Sequence, residues 1–521
     1  MTINAASLIV PGGCKADAHP VFEPNQLSSP NLPAPKASKF IANMLKKFVM
    51  NRCMLRPHTR PNKPIDFPMR SKFIALLRPG FVRSASVLVG GTAIAQLLML
   101  LILPVLTRLY TPEDFSALAV YVSILGIISA AACLRLEIAI PLPHRDEDAA
   151  NLLALALCSS AGVTGLSALI VAMFPGQIII LIAQPLLVHY LWLLPLGIWL
   201  SSSYAALQFW ATRKKRFALV SKTRVGQAFG GASAQVGFGL IGSAPLGLLV
   251  GQLVSSGAGL FGLAKDALKN DHTAISSISW LNMRRTLVEY KRFPKYSTFE
   301  SLANSASIQL PVIFIAAMAA GPEAGYLLLA SRVLFAPLAL IGGAVSQVYI
   351  SRAPDELRAN TLGEFTVKIL GGLVKTGVGP IIFLGILAPI VFPLVFGANW
   401  KRAGDLVFLL TPWCAMQFLV FPISMALHVR NLQRTALLLQ LVGFVARVGS
   451  IIVAGYLQPG WLVETYALSG LVFYILYFGV IVSIIKTSTQ DILQAIKPGV
   501  LVTIIWIALA VLLRFVVERV T

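Results

Sequence analysis

The chain has 521 residues, 56% of them apolar and 12% charged, with 43 Lys and Arg against 21 Asp and Glu for a formal net charge of +22. Soluble domains carry roughly 25% charged residues, so this composition, with a mean hydropathy of +0.77, excludes an ordinary soluble protein. The cations do not point to nucleic acid, because they fall in short clusters between long apolar runs, as Lys and Arg do where they hold loops on the cytoplasmic side of a membrane. Cys14, Cys53, Cys133, Cys158 and Cys414 have no CxxC or Cys/His spacing, and so support neither a disulfide framework nor a metal site.

Residues 1–80 read as a basic, Pro-rich extension, too poor in apolar runs to build a core and expected to be disordered. They lack the basic start, apolar stretch and small-residue cleavage site of a secretory signal. Lys39 to Lys47 has the pattern of a short basic amphipathic turn for anionic lipid, with a solvated tail as the alternative. Met69, just ahead of Arg78, Arg83 and the first apolar run, is a second candidate start.

A hydrocarbon core needs about 20 mostly apolar residues per helix. By that standard spans are expected at 84–106, 115–134, 149–174, 189–210, 221–241 and 245–264. After a polar stretch they resume at 298–319, 324–350, 367–396, 406–427, 435–456, 461–485 and 498–517. That is thirteen by this reading, with twelve or fourteen also open. With a cytoplasmic N-terminus the inside loops carry Arg213 to Arg216, Lys265, Lys269, Arg284, Arg285, Lys291, Arg292 and Lys295, whereas the outside loops hold Arg108, Lys401 and Arg402. The thirteenth span would leave Arg519 outside.

The long connector at 271–295 divides an N-terminal six-helix lobe (81–270) from a C-terminal six-helix lobe (296–490), followed by an extra transmembrane helix (491–521). Each lobe opens with two helices joined by a Pro-Glu turn, Thr111-Pro112-Glu113 and Gly321-Pro322-Glu323, a weak sign of duplication. Duplicated bundles are a transporter architecture. There is no GxxxxGK[ST], no HExxH and no GxSxG, and the outside loops are too short for a catalytic domain, so no catalytic residue, cofactor or metal is expected.

Ionisable residues inside spans are costly and face a cavity or a partner by default. The candidates are Arg108, Arg135, Glu137, Arg292, Glu300, Asn304, Arg332, Lys375 and Arg447, with Gln309 and Gln347 nearby. Arg108 and Arg135 lie near span ends, where snorkelling to the headgroups is the competing reading. Arg332, Lys375 and Arg447 lie deeper. Glu300 and Asn304 stand one turn apart on one helix face, lining a cavity or linking two helices. Cations outnumber anions, which favours an anionic substrate, and Arg grips phosphate through paired hydrogen bonds.

The order of several short motifs resembles bacterial Wzx-type O-antigen and capsule repeat-unit flippases, the polysaccharide transporter branch of the MOP exporter superfamily. These are Pro104–Phe115 (PVLTRLYTPEDF), Leu134–Pro141 (LRLEIAIP), Asp146–Ala149, Tyr290–Pro294, Leu310-Pro311, Gly325–Leu334 (GYLLLASRVL), Phe396–Trp400 (FGANW), Ala403-Gly404 and Leu410–Trp413. They cover roughly 84–485. The departures are the N-terminal extension and Ser116, where the family often has Gly. The resemblance implies an all-α, MATE-like pair of six-helix lobes forming a V and alternating between inward-facing and outward-facing states in the bacterial inner membrane. It implies an undecaprenyl-pyrophosphate-linked oligosaccharide as substrate, for O-antigen, capsule or exopolysaccharide synthesis, with a polysaccharide polymerase among the assembly partners. Its cavity positions carry over to Arg108, Arg135, Glu137 and Arg332, whereas Arg292, Glu300, Asn304, Lys375 and Arg447 rest on position alone. The membrane potential can drive an anionic head outward; coupling to H+ or Na+ through Glu137 or Glu300 is the alternative. A MATE-like multidrug or ion-coupled exporter, expected to carry acidic cavity residues, and a membrane polymerase or ligase are the competing functions.

Overall fold

The computed structural model describes residues 79–520, apart from 183, 320 and 431. The expected N-terminal extension, including the Lys39 to Lys47 turn and the Met69 start, lies outside the described residues except for its last two positions. The described chain is helical throughout. Its first part comprises α1 (Pro79–Leu109), α2 (Pro112–Ala132), α3 (Leu136–Ala139), α4 (Asp146–Met173), α5 (Pro175–Ile182), α6 (Leu193–Arg213), α7 (Phe217–Leu240), α8 (Leu246–Gly257) and α9 (Leu260–Asn270). The connector holds α10 (His272–Ser276) and α11 (Trp280–Glu289). Then follow α12 (Thr298–Met318), α13 (Glu323–Pro337), α14 (Gly343–Arg358), α15 (Leu362–Leu373), α16 (Gly379–Phe396), α17 (Lys401–Ile423), α18 (Met425–Val429), α19 (Gln433–Leu457), α20 (Leu462–Ile485) and α21 (Thr489–Val520).

Among the described residues ten helical stretches are long and apolar enough to cross a membrane, and eleven if the bent pair α13–α14 counts as one span. The difference from thirteen is α6 and α7, of 21 and 24 residues, which form where expected but are not apolar enough to count by the same standard. Ser201 to Ser203 and Gln208 in α6, and Lys222, Arg224 and Gln227 in α7, lower their hydropathy. Such helices span by packing on other helices, because an unshielded polar face in lipid leaves hydrogen-bonding groups unsatisfied. Accordingly α6 packs on α2, α4 and α8, and α7 packs along α8.

Three cores organise these helices. One, containing Phe115, Leu118, Tyr121, Leu327, Leu334, Trp400, Leu410 and Trp413, takes side chains from both sequence halves. The second draws only on the first half and the connector, through Leu136, Ile140, Leu152, Trp210 and Met283. The third draws only on the second half, through Tyr349, Leu370, Leu427, Phe473 and Ile481. The two separate cores lie at the end that carries the Lys/Arg-rich loops; the shared core lies towards the opposite end. The halves are therefore fused by apolar packing at one end and independently packed at the basic end. Helix α21 lies along α15 and α16 and so extends the second half.

An ion network closes the first half at its basic end. Asp146 receives Arg213 Nε at 3.0 Å and Lys214 Nζ at 2.6 Å. Asp271 accepts from both terminal nitrogens of Arg216 at 2.8 Å and from Trp210 Nε1 at 2.9 Å. Burial pushes the Asp271 carboxyl up, but the bonds from Arg216 and Trp210 and the charges of Lys214 and Arg216 outweigh it and hold the group below the usual carboxylate range.

Candidate functional site

At the end opposite the basic loops, three of the sequence motifs meet. Thr111 caps α2: its Oγ1 accepts from Asp114 N at 3.3 Å while Asp114 Oδ2 accepts from Thr111 N at 2.9 Å. This capping box, with Pro112 in the first turn, is why the first Pro-Glu turn starts a helix. It delivers buried Phe115 edge-on to Trp400, with centroids 4.8 Å apart. Tyr326, from the second Pro-Glu turn, packs on the same indole at 5.9 Å. Trp400 Nε1 donates to Thr107 O at 3.0 Å, and Arg108 Nη2 donates to Leu394 O at 3.2 Å. Gly325 lies so close to α2 that a Cβ would sit 2.1 Å from Pro112 O. The two turns that looked like copies of one another are thus in contact, and they shut this end. Ser116, the departure from the family pattern, donates to Gly321 O at 3.4 Å.

From that seal a polar seam runs down α2 and α12 towards the basic end. Ser123 Oγ donates to Gln309 Oε1 at 3.2 Å, Ser305 Oγ to Gly126 O at 2.9 Å, and Ser301 Oγ to Ala130 O at 3.2 Å. Positions 301, 305 and 309 recur every four residues and therefore share one helix face. The expected polar stripe is displaced by one residue: Glu300 is exposed, and Asn304 is half-buried with its carbonyl occupied by Ser307 Oγ at 2.8 Å. The serines that make the bonds were not singled out from sequence, although the Ser-x3-Ser-x3-Gln spacing was there to find.

The nine expected site residues do not form one cluster. Arg108 is exposed at the sealed end. Arg135 and Glu137 pair at 3.5 Å between α2 and α4, where Leu134 and Arg135 adopt left-handed backbone with φ of 51° and 57°. Glu137 is buried, and burial raises its carboxyl above the usual range against the opposing charge of Arg135. Arg292 and Lys375 are exposed, the latter with its backbone against Gly499 of α21. Arg447 is buried at mid-helix, yet Nε donates to Gly443 O of its own helix at 3.0 Å and the guanidinium lies 5.4 Å from the centroid of the Phe473 ring. That is a satisfied packing cation rather than an open one.

Arg332 differs from all of these. It is half-buried and has no hydrogen-bond or ion-pair partner among the described residues. Helices α2 and α13 both start at the sealed end, where Gly325 touches Pro112 and Ser116. Seven residues further on, about 10 Å at 1.5 Å per residue, Arg332 reaches the depth of Ser123 and its partner Gln309. A guanidinium with no partner among the described residues is thereby set at mid-depth, level with the polar seam.

The model of the family described as "Polysaccharide biosynthesis protein" matches residues 105–405. The chain belongs to the polysaccharide biosynthesis protein family. Its matched region contains the seal, the seam and Arg332. Among solved structures this family member is similar to a lipid II flippase MurJ in an inward closed conformation. The two share 13% identity over 82% of this chain and 97% of that one, with a TM-score of 0.62. It is also similar to a multidrug resistance MATE family transporter of the MOP superfamily in an inward-facing conformation. There the identity is 16% over 77% of this chain and 93% of that one, with a TM-score of 0.54. The fold is accordingly that of the MurJ and MATE transporters, and the family member is a multi-pass membrane protein. No curated protein matches the chain by sequence.

Proposed function

We propose that this protein flips polyprenyl-pyrophosphate-linked oligosaccharide repeat units across the bacterial inner membrane by alternating access, supplying polysaccharide synthesis, and that it is not an enzyme. The two lobes at 81–270 and 296–490 are the moving bodies, and the basic end faces the cytoplasm. The observation that carries this reading is Arg332, a cation at mid-depth with no partner among the described residues. Burying such a charge without a counter-ion is costly, and a pyrophosphate arriving in a hydrated cavity supplies one through bidentate bonds. Cores separate at the basic end and shared at the other support a reading in which substrate enters from the basic end.

A drug exporter of the MATE type would be expected to place acids in its cavity. Here every acidic side chain of the described spans lies within eight residues of a span end, whereas Arg332 and Arg447 lie at mid-span. An anionic head moving outward in a cell that is negative inside gains roughly 2.3 kcal/mol per charge per 100 mV, so the potential alone favours export. Glu137, buried and paired at the cytoplasmic end, is the titrating group if H+ or Na+ also contributes. The test is complementation of a strain lacking its own copy: Arg332→Glu abolishes polymer assembly with protein abundance unchanged, and Arg332→Lys retains part of it. Wild-type polymer from the Glu variant would overturn the assignment.

A further inference from the structure

The connector joining the two halves carries an apolar surface that none of the described residues covers. In α11, Met283 and Thr286 are buried and Tyr290 is half-buried, forming one stripe. At about 100° per residue the adjoining arc, roughly 120° wide, holds Leu287, Trp280, Val288 and Leu281, with Arg284 at its centre. Trp280, Leu281 and Val288 are 79%, 77% and 60% exposed. Arg285, Glu289 and Asn282 complete the circumference. The helix is held in place: Ser279 caps it through Asn282 N at 3.3 Å, and Ser279 N donates to Asn151 Oδ1 of α4 at 3.2 Å.

Immediately after α11 the chain turns into α12 through a groove of about 610 Å³ lined by Leu287, Lys291, Arg292, Pro294, Lys295 and Tyr296. Lys295 Nζ stands 5.2 Å from the centroid of the Tyr296 ring. The same mixture recurs on α9, where exposed Phe261 and Leu268 flank Lys265 and Lys269. A stripe fixed to protein, an apolar arc with an exposed Trp, and cations beside it are the three faces of a helix lying at a membrane surface. A second copy of this chain would bring cations against cations and is the poorer occupant.

We propose that α11 and the turn after it form an interfacial element that binds anionic phospholipid. Trp280, Leu281 and Val288 enter the acyl boundary, and Lys291, Arg292 and Lys295 hold the headgroup phosphate. The inference needs no transported substrate and goes beyond the flippase reading. Because the turn leads into α12, a bound headgroup fixes the base of the α2–α12 seam.

The test uses the full-length protein in a neutral detergent, with the thermal midpoint titrated against short-chain phosphatidylglycerol, phosphatidylcholine of the same chain length, and inorganic phosphate. Phosphatidylglycerol is expected to raise the midpoint, the other two to leave it in place. The variant K291Q/R292Q/K295Q should need at least ten-fold more phosphatidylglycerol for half the effect, whereas R352Q/R358Q/K486Q, matched in lost charge, should behave as wild type. An equal response to phosphatidylcholine, an equal response to inorganic phosphate, or an unshifted titration in the groove variant overturns the proposal. Should the groove variant not fold, W280F decides it. In vesicles containing lipids brominated just below the headgroup, the fluorescence lost on replacing Trp280 should be the strongly quenched part; an unquenched Trp280 overturns the proposal.

Discussion

Replacing Gly325 by Ala tests whether the two halves close upon each other where the Pro-Glu turns meet. The new Cβ would lie 2.1 Å from Pro112 O and 2.7 Å from Ser116 N, both backbone atoms, so no rotamer change makes room. Even a close C–H···O contact needs about 3.3 Å, so α2 and α13 must separate by about 1 Å. Overpacking of that kind costs about 1–3 kcal/mol, and it falls only on the state in which this end is shut. A penalty of that size changes the ratio of shut to open by roughly 5- to 150-fold. The assay is the labelling rate of a Ser116→Cys thiol by a membrane-impermeant reagent, with Cys14, Cys53 and exposed Cys158 replaced by Ser. Ser116 is 1% exposed in the shut state. Gly325→Ala should raise the rate at least five-fold. A variant that melts like its parent and labels at the parent rate would refute the reasoning, because the contact would then not hold the halves together.

Trp400→Phe should act in the same direction without overpacking, since it leaves buried Thr107 O without its donor at a cost of about 1–3 kcal/mol; faster labelling at Ser116→Cys checks it. Ser305→Ala and Gln309→Leu each remove one bond of the seam. Each should lower the stability of the purified protein by about 0.6 kcal/mol, the usual worth of such a bond between membrane helices, read from thermal melts. Asp271→Asn should lower the melting midpoint at pH 7. The folded Asp271 carboxyl titrates below its ordinary value, about 3.9, so its stabilisation is complete above that value and is lost as pH falls through the folded one. Melts from pH 7 towards pH 3 should therefore converge for the two proteins, and a constant gap would contradict the assignment.

Much of the architecture was legible because lipid imposes long apolar helices and Lys/Arg asymmetry marks their ends. All thirteen expected runs are helical. Helices α6 and α7 were read correctly as helices, although their polar residues require protein neighbours that a sequence does not display. The Pro-Glu turns were noticed as a repeat, but their mutual contact was not, since it depends on how two helices 205 residues apart cross at Ser116 and Gly321. Single charged residues were the least legible. Arg332 and Arg447 both lie deep in apolar runs, yet Arg447 is satisfied by Gly443 O and Phe473 and Arg332 has no partner among the described residues. That difference resides in what packs against each residue. Glu300 and Asn304 were one position out of phase with the seam because both faces of that helix turn are polar.

The most direct measurement is translocation of an undecaprenyl-pyrophosphate-linked oligosaccharide by the purified protein in sealed vesicles, with the membrane potential set by a potassium gradient and no nucleotide present. Movement should quicken as the compartment facing the basic end becomes more negative and should be lost in Arg332→Glu. Translocation that ignores the potential and survives charge reversal at Arg332 would contradict the proposed mechanism.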